Sequence, residues 1–239
     1  MKVGFIGVGY MGYGIAKNLI KHGHKLFVVA NKNRVPIDKI IYDGAEEAKD
    51  IEELCNKELD ALFLCVTNTP IATSIAEKLL DFLTSKTLII DITTHNQNGS
   101  KDMDKIFAKK NISYVECPVM GGPVQAEEGV LGGIVGATEE NFKKAESYLK
   151  NICKDYFYFG EVGAGAKSKL LNNFLSIGTA TLVIELIKSA KKMDIDLEKL
   201  FSVAKLGSGN SAALNRVFDN LLKGDFTGFK FTASNSVKD

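Results

Sequence analysis

The sequence predicts an α/β fold: a parallel sheet with helices on both faces, followed by an all-helical segment. Three observations carry that reading. Short apolar runs that suit buried strands alternate with helical periodicities. A glycine-rich turn joins the first strand pattern to the first helix pattern. Strand-like runs cease after residue 160.

Taken in order, KVGFI (residues 2–6) is a short apolar run ending at glycine, a buried-strand signal. From Tyr10 to His22 the apolar residues Met11, Ile15, Leu19 and Ile20 recur at helical spacing. HGH breaks that helix, and KLFVVA reads as the second strand. Two more buried strands are expected at ALFLCV (61–66) and TLIIDI (87–92), with helices at about 46–56, 71–83 and 99–110. ISYVE (112–116), VLGGIVGA (130–137) and YFYFG (156–160) complete the strands, with a helix near 139–150. From 166 to 193 the chain is one long helical pattern without proline. Two shorter helices follow, stopped by Gly207 and Gly224. The expected division is therefore a sheet domain over 1–162 and a helical domain over 163–239. FKFTASNSVKD looks like the opening of a further helix, so the helical domain reads as truncated.

Composition narrows the classes of function. The chain has 239 residues, 45% apolar, 25% charged, with a net charge of +1. That balance argues against nucleic-acid binding driven by bulk charge. No apolar run reaches the roughly 20 residues that a bilayer span needs, and the N-terminal MKVGFIGVGYMG lacks the cleavage site of a leader. Cys55, Cys65, Cys117 and Cys153 have no CxxC spacing and read as small apolar residues in a reducing, cytoplasmic setting. His22, His24 and His95 are too scattered for a ligand set, so no metal is predicted.

Gly7, Gly9 and Gly12 form GVGYMG, a GxGxxG between strand and helix. That context marks a Rossmann-type dinucleotide site. Gly7 permits the tight turn, Gly9 lets a pyrophosphate approach the backbone, and Gly12 lets helix and strand pack closely. The start of the helix, with Tyr10 and Met11, offers free N–H groups and a partial positive charge. At the end of the second strand, where an NAD site usually has Asp or Glu, stands Asn31 in ANKNR. Asn31 does not repel a 2′-phosphate, and Lys32 and Arg34 can attract one, so NADP is predicted over NAD; solvated loop charges are the plainer alternative for that pair. Val66 and Thr67, after the third apolar run, are expected to line the ribose–nicotinamide side. Thr93 and Thr94 occupy the corresponding place after TLIID, where their hydroxyls can hold a carboxylate; for Thr94 a helix cap or turn former is the plainer alternative.

Lys169 and Asn173 are four apart in GAGAKSKLLNN and share a helix face, while Lys167 points elsewhere. A lysine beside a cofactor can act as base toward an alcohol or as acid toward a carbonyl. From spacing alone this is weak, because helix lysines are mostly exposed.

Four stretches in order, GFIGVGYMG, DITT, ECPVMGGPVQAEEG and GAGAKSKLLNN, resemble the β-hydroxyacid dehydrogenases. The resemblance runs the whole chain and leans toward the glyoxylate/succinic semialdehyde reductases. It implies that Lys169 is the catalytic lysine and Asn173 the asparagine beside it, and that Thr93 stands in for a substrate-contacting serine. It also implies that Gly121 and Gly122 hold the substrate carboxylate and that Lys238 and Asp239 lie near the nicotinamide. Met120 and Glu116 depart from the Ser and Asp common in the family. The implied protein is a homo-oligomer, dimer or tetramer, that binds NADP (or NAD) and a small carboxylate, with no nucleic acid or membrane partner. The implied activity is reduction of a small aldehyde-acid or the reverse oxidation of a 3-hydroxy acid. The rival reading is a catalytically silent NADP-binding sensor or scaffold of the same fold.

Overall fold

The computed structural model describes residues 1–31, 33–96 and 98–225. Lys32, Lys238 and Asp239 lie outside the described residues.

Six parallel strands form the main sheet: β1 (Lys2–Ile6), β2 (Lys25–Val29), β3 (Glu46–Ala48), β4 (Ala61–Leu64), β5 (Leu88–Asp91) and β6 (Ser113–Glu116). Their order is β3-β2-β1-β4-β5-β6, so the chain reverses its direction of growth between β1 and β4. In open sheets of this kind ligands bind beyond the carboxyl ends of the strands at that reversal. The helices between them are α1 (Tyr10–Lys21), α2 (Val35–Tyr42), α3 (Ile51–Cys55), α4 (Thr69–Leu80) and α5 (Gly99–Ala108).

Strand periodicity assigns the two faces. Val3, Phe5, Leu26, Val28, Phe63 and Ile90 point into one core, where Ile15 and Leu19 of α1 and Ile37 and Ile40 of α2 meet them. The intervening Ile6, Phe27, Leu62, Leu64 and Ile89 point into the other, against Leu54, Ala72, Ala76, Leu79, Met103 and Phe107. The sheet is thus buried on both faces, as its unbroken apolar strands require.

Beyond β6 the chain adds a three-stranded sheet of β7 (Val119–Met120), β8 (Leu131–Val135) and β9 (Cys153–Tyr158). Strands β7 and β8 are antiparallel, β8 and β9 parallel. A backbone bridge between Glu116 and Gly136 joins it to the end of β6. Helix α6 (Pro123–Glu128) packs on α1, where the Asn18 amide donates to the carbonyls of Ala126 at 2.8 Å and Glu127 at 3.0 Å. Helix α7 (Glu139–Leu149) covers the first face with Ala145, Tyr148 and Leu149.

Several sequence expectations need correcting. The helix expected over 46–56 is strand β3 followed by the short α3. EEA is polar because β3 is the edge strand, paired only with β2. Helix α2 went unread because Pro36 resembles a turn signal, yet it sits in the first turn, where its missing N–H costs nothing. The second sheet, β7 and α6 were also unread.

The chain folds as two compact units, Met1–Lys169 and a second from Leu170 onward. Helix α8 (Ala164–Lys192) starts in the first and continues into the second. By length and composition α8 is long and apolar enough to cross a membrane, which corrects the expectation that no stretch qualifies. The polar residues inside it do not disqualify it: Thr179 and Thr181 return their hydroxyls to the carbonyls of Leu175 and Ile177 at 2.8 and 2.9 Å. The core helix of a globular protein passes the same test. The second unit has its own core of Val183, Ile187, Phe201, Leu214 and Phe218, drawn from α8, α9 (Leu197–Leu206) and α10 (Ala212–Leu222).

Candidate active site

The glycine loop leaves β1 and enters α1. Gly7 has φ +105°, and a Cβ there would stand 2.1 Å from the Cys65 carbonyl oxygen. Gly12 approaches equally closely, with a would-be Cβ 2.1 Å from the Gly7 oxygen. At Gly9 a Cβ would meet nothing within 4 Å. Two glycines are therefore required by packing, while Gly9 opens onto free space. Gly9 is the N-cap of α1, which has no side-chain cap and no acidic residue in its first turn. Those N–H groups need a partner from outside the helix, and an anionic pyrophosphate suits their charge. Tyr10 is exposed and Met11 half-buried at the same turn. The residues present thus fit a dinucleotide.

From this loop the contacts lead across the strand ends. The Val66 side chain lies beside Gly7, and its N–H donates to Thr93 Oγ1 at 3.2 Å. The Thr93 oxygen accepts here, which leaves its own proton to donate elsewhere. The Thr93 N–H is held by Asp91 Oδ1 at 2.9 Å. Asp91 is fully buried, and its Oδ2 accepts from His95 Nε2 at 2.8 Å and from the Tyr114 hydroxyl at 3.1 Å. His95 Nδ1 lies 3.1 Å from Thr69 Oγ1. Four residues thus fix the turn that carries Thr93. Burial, then the charges of Asp91 and Glu116, push the Tyr114 phenol well above its ordinary range. Thr67 is exposed at the end of β4.

The next loop is tied in through the Cys117 N–H, which donates to the Asp91 carbonyl at 2.7 Å. It continues through Val119 and Met120 to Gly121, at φ +113°, and Gly122, whose N–H donates to Gln125 Oε1 at 2.9 Å. Lys169 reaches this loop. The residue is 9% exposed, and its amine lies 2.8 Å from the Val119 carbonyl and 3.6 Å from Met120 Sδ. Lys167, two residues earlier, is exposed. Asn173, one turn beyond Lys169 on α8, is buried. The lysine proposed from the motif is the buried one, beside the residue that precedes Gly121.

Asn31 and Arg34 stand at the end of β2, both exposed. The Arg34 guanidinium is already engaged, by Glu47 at 2.5 and 3.1 Å and by Asp38 at 2.7 Å. An incoming 2′-phosphate would share or displace these surface pairs, which are individually weak. The sequence reading missed Asp91, His95 and Tyr114 as a unit. The only written signal was a buried-strand Asp followed four residues later by His.

The chain as a whole is similar to known proteins. Residues 2–160 match the family model described as the NAD-binding domain of 6-phosphogluconate dehydrogenase. Residues 163–239 match the model described as NAD-binding of NADP-dependent 3-hydroxyisobutyrate dehydrogenase. Over 95% of its length the chain is 29% identical to 2-(hydroxymethyl)glutarate dehydrogenase of Eubacterium barkeri, covering 76% of that protein. It is 32% identical over 87% of its length to the mitochondrial 3-hydroxyisobutyrate dehydrogenase of Bos taurus, covering 62% of it. The solved structure of Psf3 in complex with NADP+ and 2-OPP superposes with a TM-score of 0.84 at 28% identity, covering 98% of this chain and 81% of that one. The strand order and the glycine loop define a dinucleotide-binding domain, and with relatives that are named dehydrogenases the chain is an NAD(P)-dependent oxidoreductase of the kind that acts on CH–OH groups. More narrowly, the chain belongs to the β-hydroxyacid dehydrogenase family.

Proposed function

We propose that the protein is an NADPH-dependent reductase of small aldehyde-acids of the succinic semialdehyde or glyoxylate type. The reverse reaction is oxidation of a 3-hydroxy acid such as 3-hydroxyisobutyrate. The observation that carries this reading is the buried Lys169 amine against the Val119 carbonyl and the Met120 sulfur, in the loop reached from the glycine turn through Val66, Thr93 and Asp91. The names of the Eubacterium barkeri and Bos taurus relatives, both hydroxy-acid dehydrogenases, support a carboxylate-bearing substrate.

The bound nicotinamide supplies or accepts the hydride. The backbone of Gly7, Gly9, Tyr10, Met11 and Gly12 takes the pyrophosphate. Asn31, Lys32 and Arg34 take the 2′-phosphate, Val66 and Thr67 line the ribose side, and Lys238, outside the described residues, is assigned to the cofactor by the family resemblance alone. Thr93, Gly121 and Gly122 hold the substrate carboxylate. Lys169 gives a proton to the carbonyl oxygen, and Asn173 orients that oxygen. The division of labour follows residues 1–162 for the cofactor and 163–239 for the helical domain. The exposed Leu171, Phe174, Leu175 and Leu182 of α8 favour a homo-oligomer, because so much apolar surface is usually covered. Four free cysteines favour a reducing compartment such as the cytoplasm.

Oxidation of NADPH, followed at its absorbance maximum with a panel of small aldehyde-acids, tests the reading. Turnover with at least one member is expected. Tight NADPH binding with no turnover across the panel would favour the silent sensor instead.

A further inference from the structure

We propose that Glu116 is the positioning residue for Lys169, locking the start of helix α8 so that the amine meets the Val119 loop. The proposal rests on the reading of Lys169 as the proton donor, but its geometry stands apart from that reading. The Glu116 side chain is fully buried at the end of β6. One carboxylate oxygen accepts from the Gly163 N–H at 2.6 Å and the Gly165 N–H at 2.8 Å; the other accepts from the Ala166 N–H at 3.2 Å. These are N–H groups at the opening of a helix of 29 residues, where a negative charge also meets the positive end of the helix dipole.

The pocket is cut to this side chain. A Cβ on Gly136 would stand 2.1 Å from Glu116 Oε1, and one on Gly165 would stand 3.0 Å from it. The Glu116 backbone is itself pinned, exchanging two hydrogen bonds of 3.0 Å with Gly136. The carboxylate therefore cannot move away without disturbing the sheet.

The consequence for Lys169 is a closed loop of contacts. Glu116 grips the helix at Ala166, three residues before Lys169. The Lys169 amine returns to Val119, three residues after Glu116. Any slide or rotation of the helix start relative to β6 moves the amine off the Val119 carbonyl. A cap that served only the helix end would be met more cheaply by a surface Ser or Asp, since a buried carboxylate forfeits its hydration. Burial pushes the Glu116 carboxyl up, and the Ser100 hydroxyl together with the three N–H bonds offsets only part of that.

The test uses the full chain and the variants Glu116→Gln and Glu116→Asp. In the protein without cofactor, the rate at which an amine-reactive acetylating reagent modifies Lys169 is read by peptide mass spectrometry, with exposed Lys167 as internal control. Glu116→Gln is expected to raise Lys169 labelling about tenfold while Lys167 is unchanged. It is also expected to lower kcat roughly 10- to 100-fold, the scale of a misplacement near 1 Å, with KM for NADPH within about twofold. Wild-type labelling and wild-type kcat in a folded Glu116→Gln would overturn the proposal. Should that variant fail to fold, Glu116→Asp decides: it keeps the charge and loses reach, so increased Lys169 labelling supports the proposal and wild-type labelling overturns it. If Lys169 proves dispensable for turnover, the function proposed above fails, while the labelling rates still judge Glu116.

Discussion

At the scale of single residues, the choice between cofactors turns on Asn31. An aspartate there would hydrogen-bond a ribose 2′-OH and repel a 2′-phosphate. Asn31→Asp is expected to shift the NADPH/NADH ratio of kcat/KM toward NADH by about 1.5–3 kcal/mol, the size of a charge-assisted hydrogen bond. An unchanged ratio, or a wild-type preference for NADH, would remove Asn31 from the selection. Glu116 makes a separate prediction in pH. Because its carboxyl is pushed up on folding, the folded chain holds that proton more tightly than the unfolded one. Its contribution to stability is therefore largest below the ordinary glutamate value of about 4.3 and falls as pH rises toward the folded value. The wild-type Tm minus the Glu116→Gln Tm should accordingly shrink as pH rises through that window. A difference that grows with pH would reverse the sign. Lys169 stands out in the sequence because it sits in a motif; what the structure adds is that Lys169 is buried and Lys167 exposed. The Asp91–His95–Tyr114 unit was not legible. It joins the end of β5, the loop after it and the middle of β6, and only pairing brings these together.

At the scale of elements, the glycine turn and α1 work as one piece. Gly12 lies so close to the Gly7 carbonyl that any side chain must move backbone. Gly12→Ala is expected to cost about 2–3 kcal/mol of overpacking, seen as a drop of roughly 4–12 °C in Tm, together with weaker NADPH binding. A variant with wild-type Tm would mean that the turn adapts. The strands with the clearest sequence signal, β1, β2, β4 and β5, are central and apolar on both faces. The elements that escaped notice follow different physics. The edge strand β3 has only one neighbour and can be polar. Strand β7 has two residues, too few for any periodicity. Helix α8 was recognised as a helix, but its apolar character was undercounted because asparagines and threonines interrupt the run.

At the scale of the whole molecule, the two compact units have separate cores. The second is small and leans on Phe218, which is fully buried and stacked on Phe201 with ring centroids 4.7 Å apart. Phe218→Ala is expected to cost about 3–5 kcal/mol, concentrated in the helical unit. Hydrogen exchange should then accelerate in α9 and α10 while β1, β4 and β5 keep their protection. Uniform loss across both units would show that they unfold as one. The change from strands to helices was legible because strand signals stop after residue 160, but the compact units part inside helix α8, after Lys169, rather than at residue 162; the second sheet was not legible, since β8 and β9 resemble further strands of the first.

The proposed function stands or falls with proton transfer by the Lys169 amine in a hydride reaction at the strand ends. Lys169→Ala tests it most directly, with NADPH affinity and turnover of succinic semialdehyde measured on the same folded preparation. An unchanged Kd for NADPH is expected, with kcat lower by about 10²–10⁴-fold, the usual worth of a positioned acid. Wild-type turnover in that variant would contradict it.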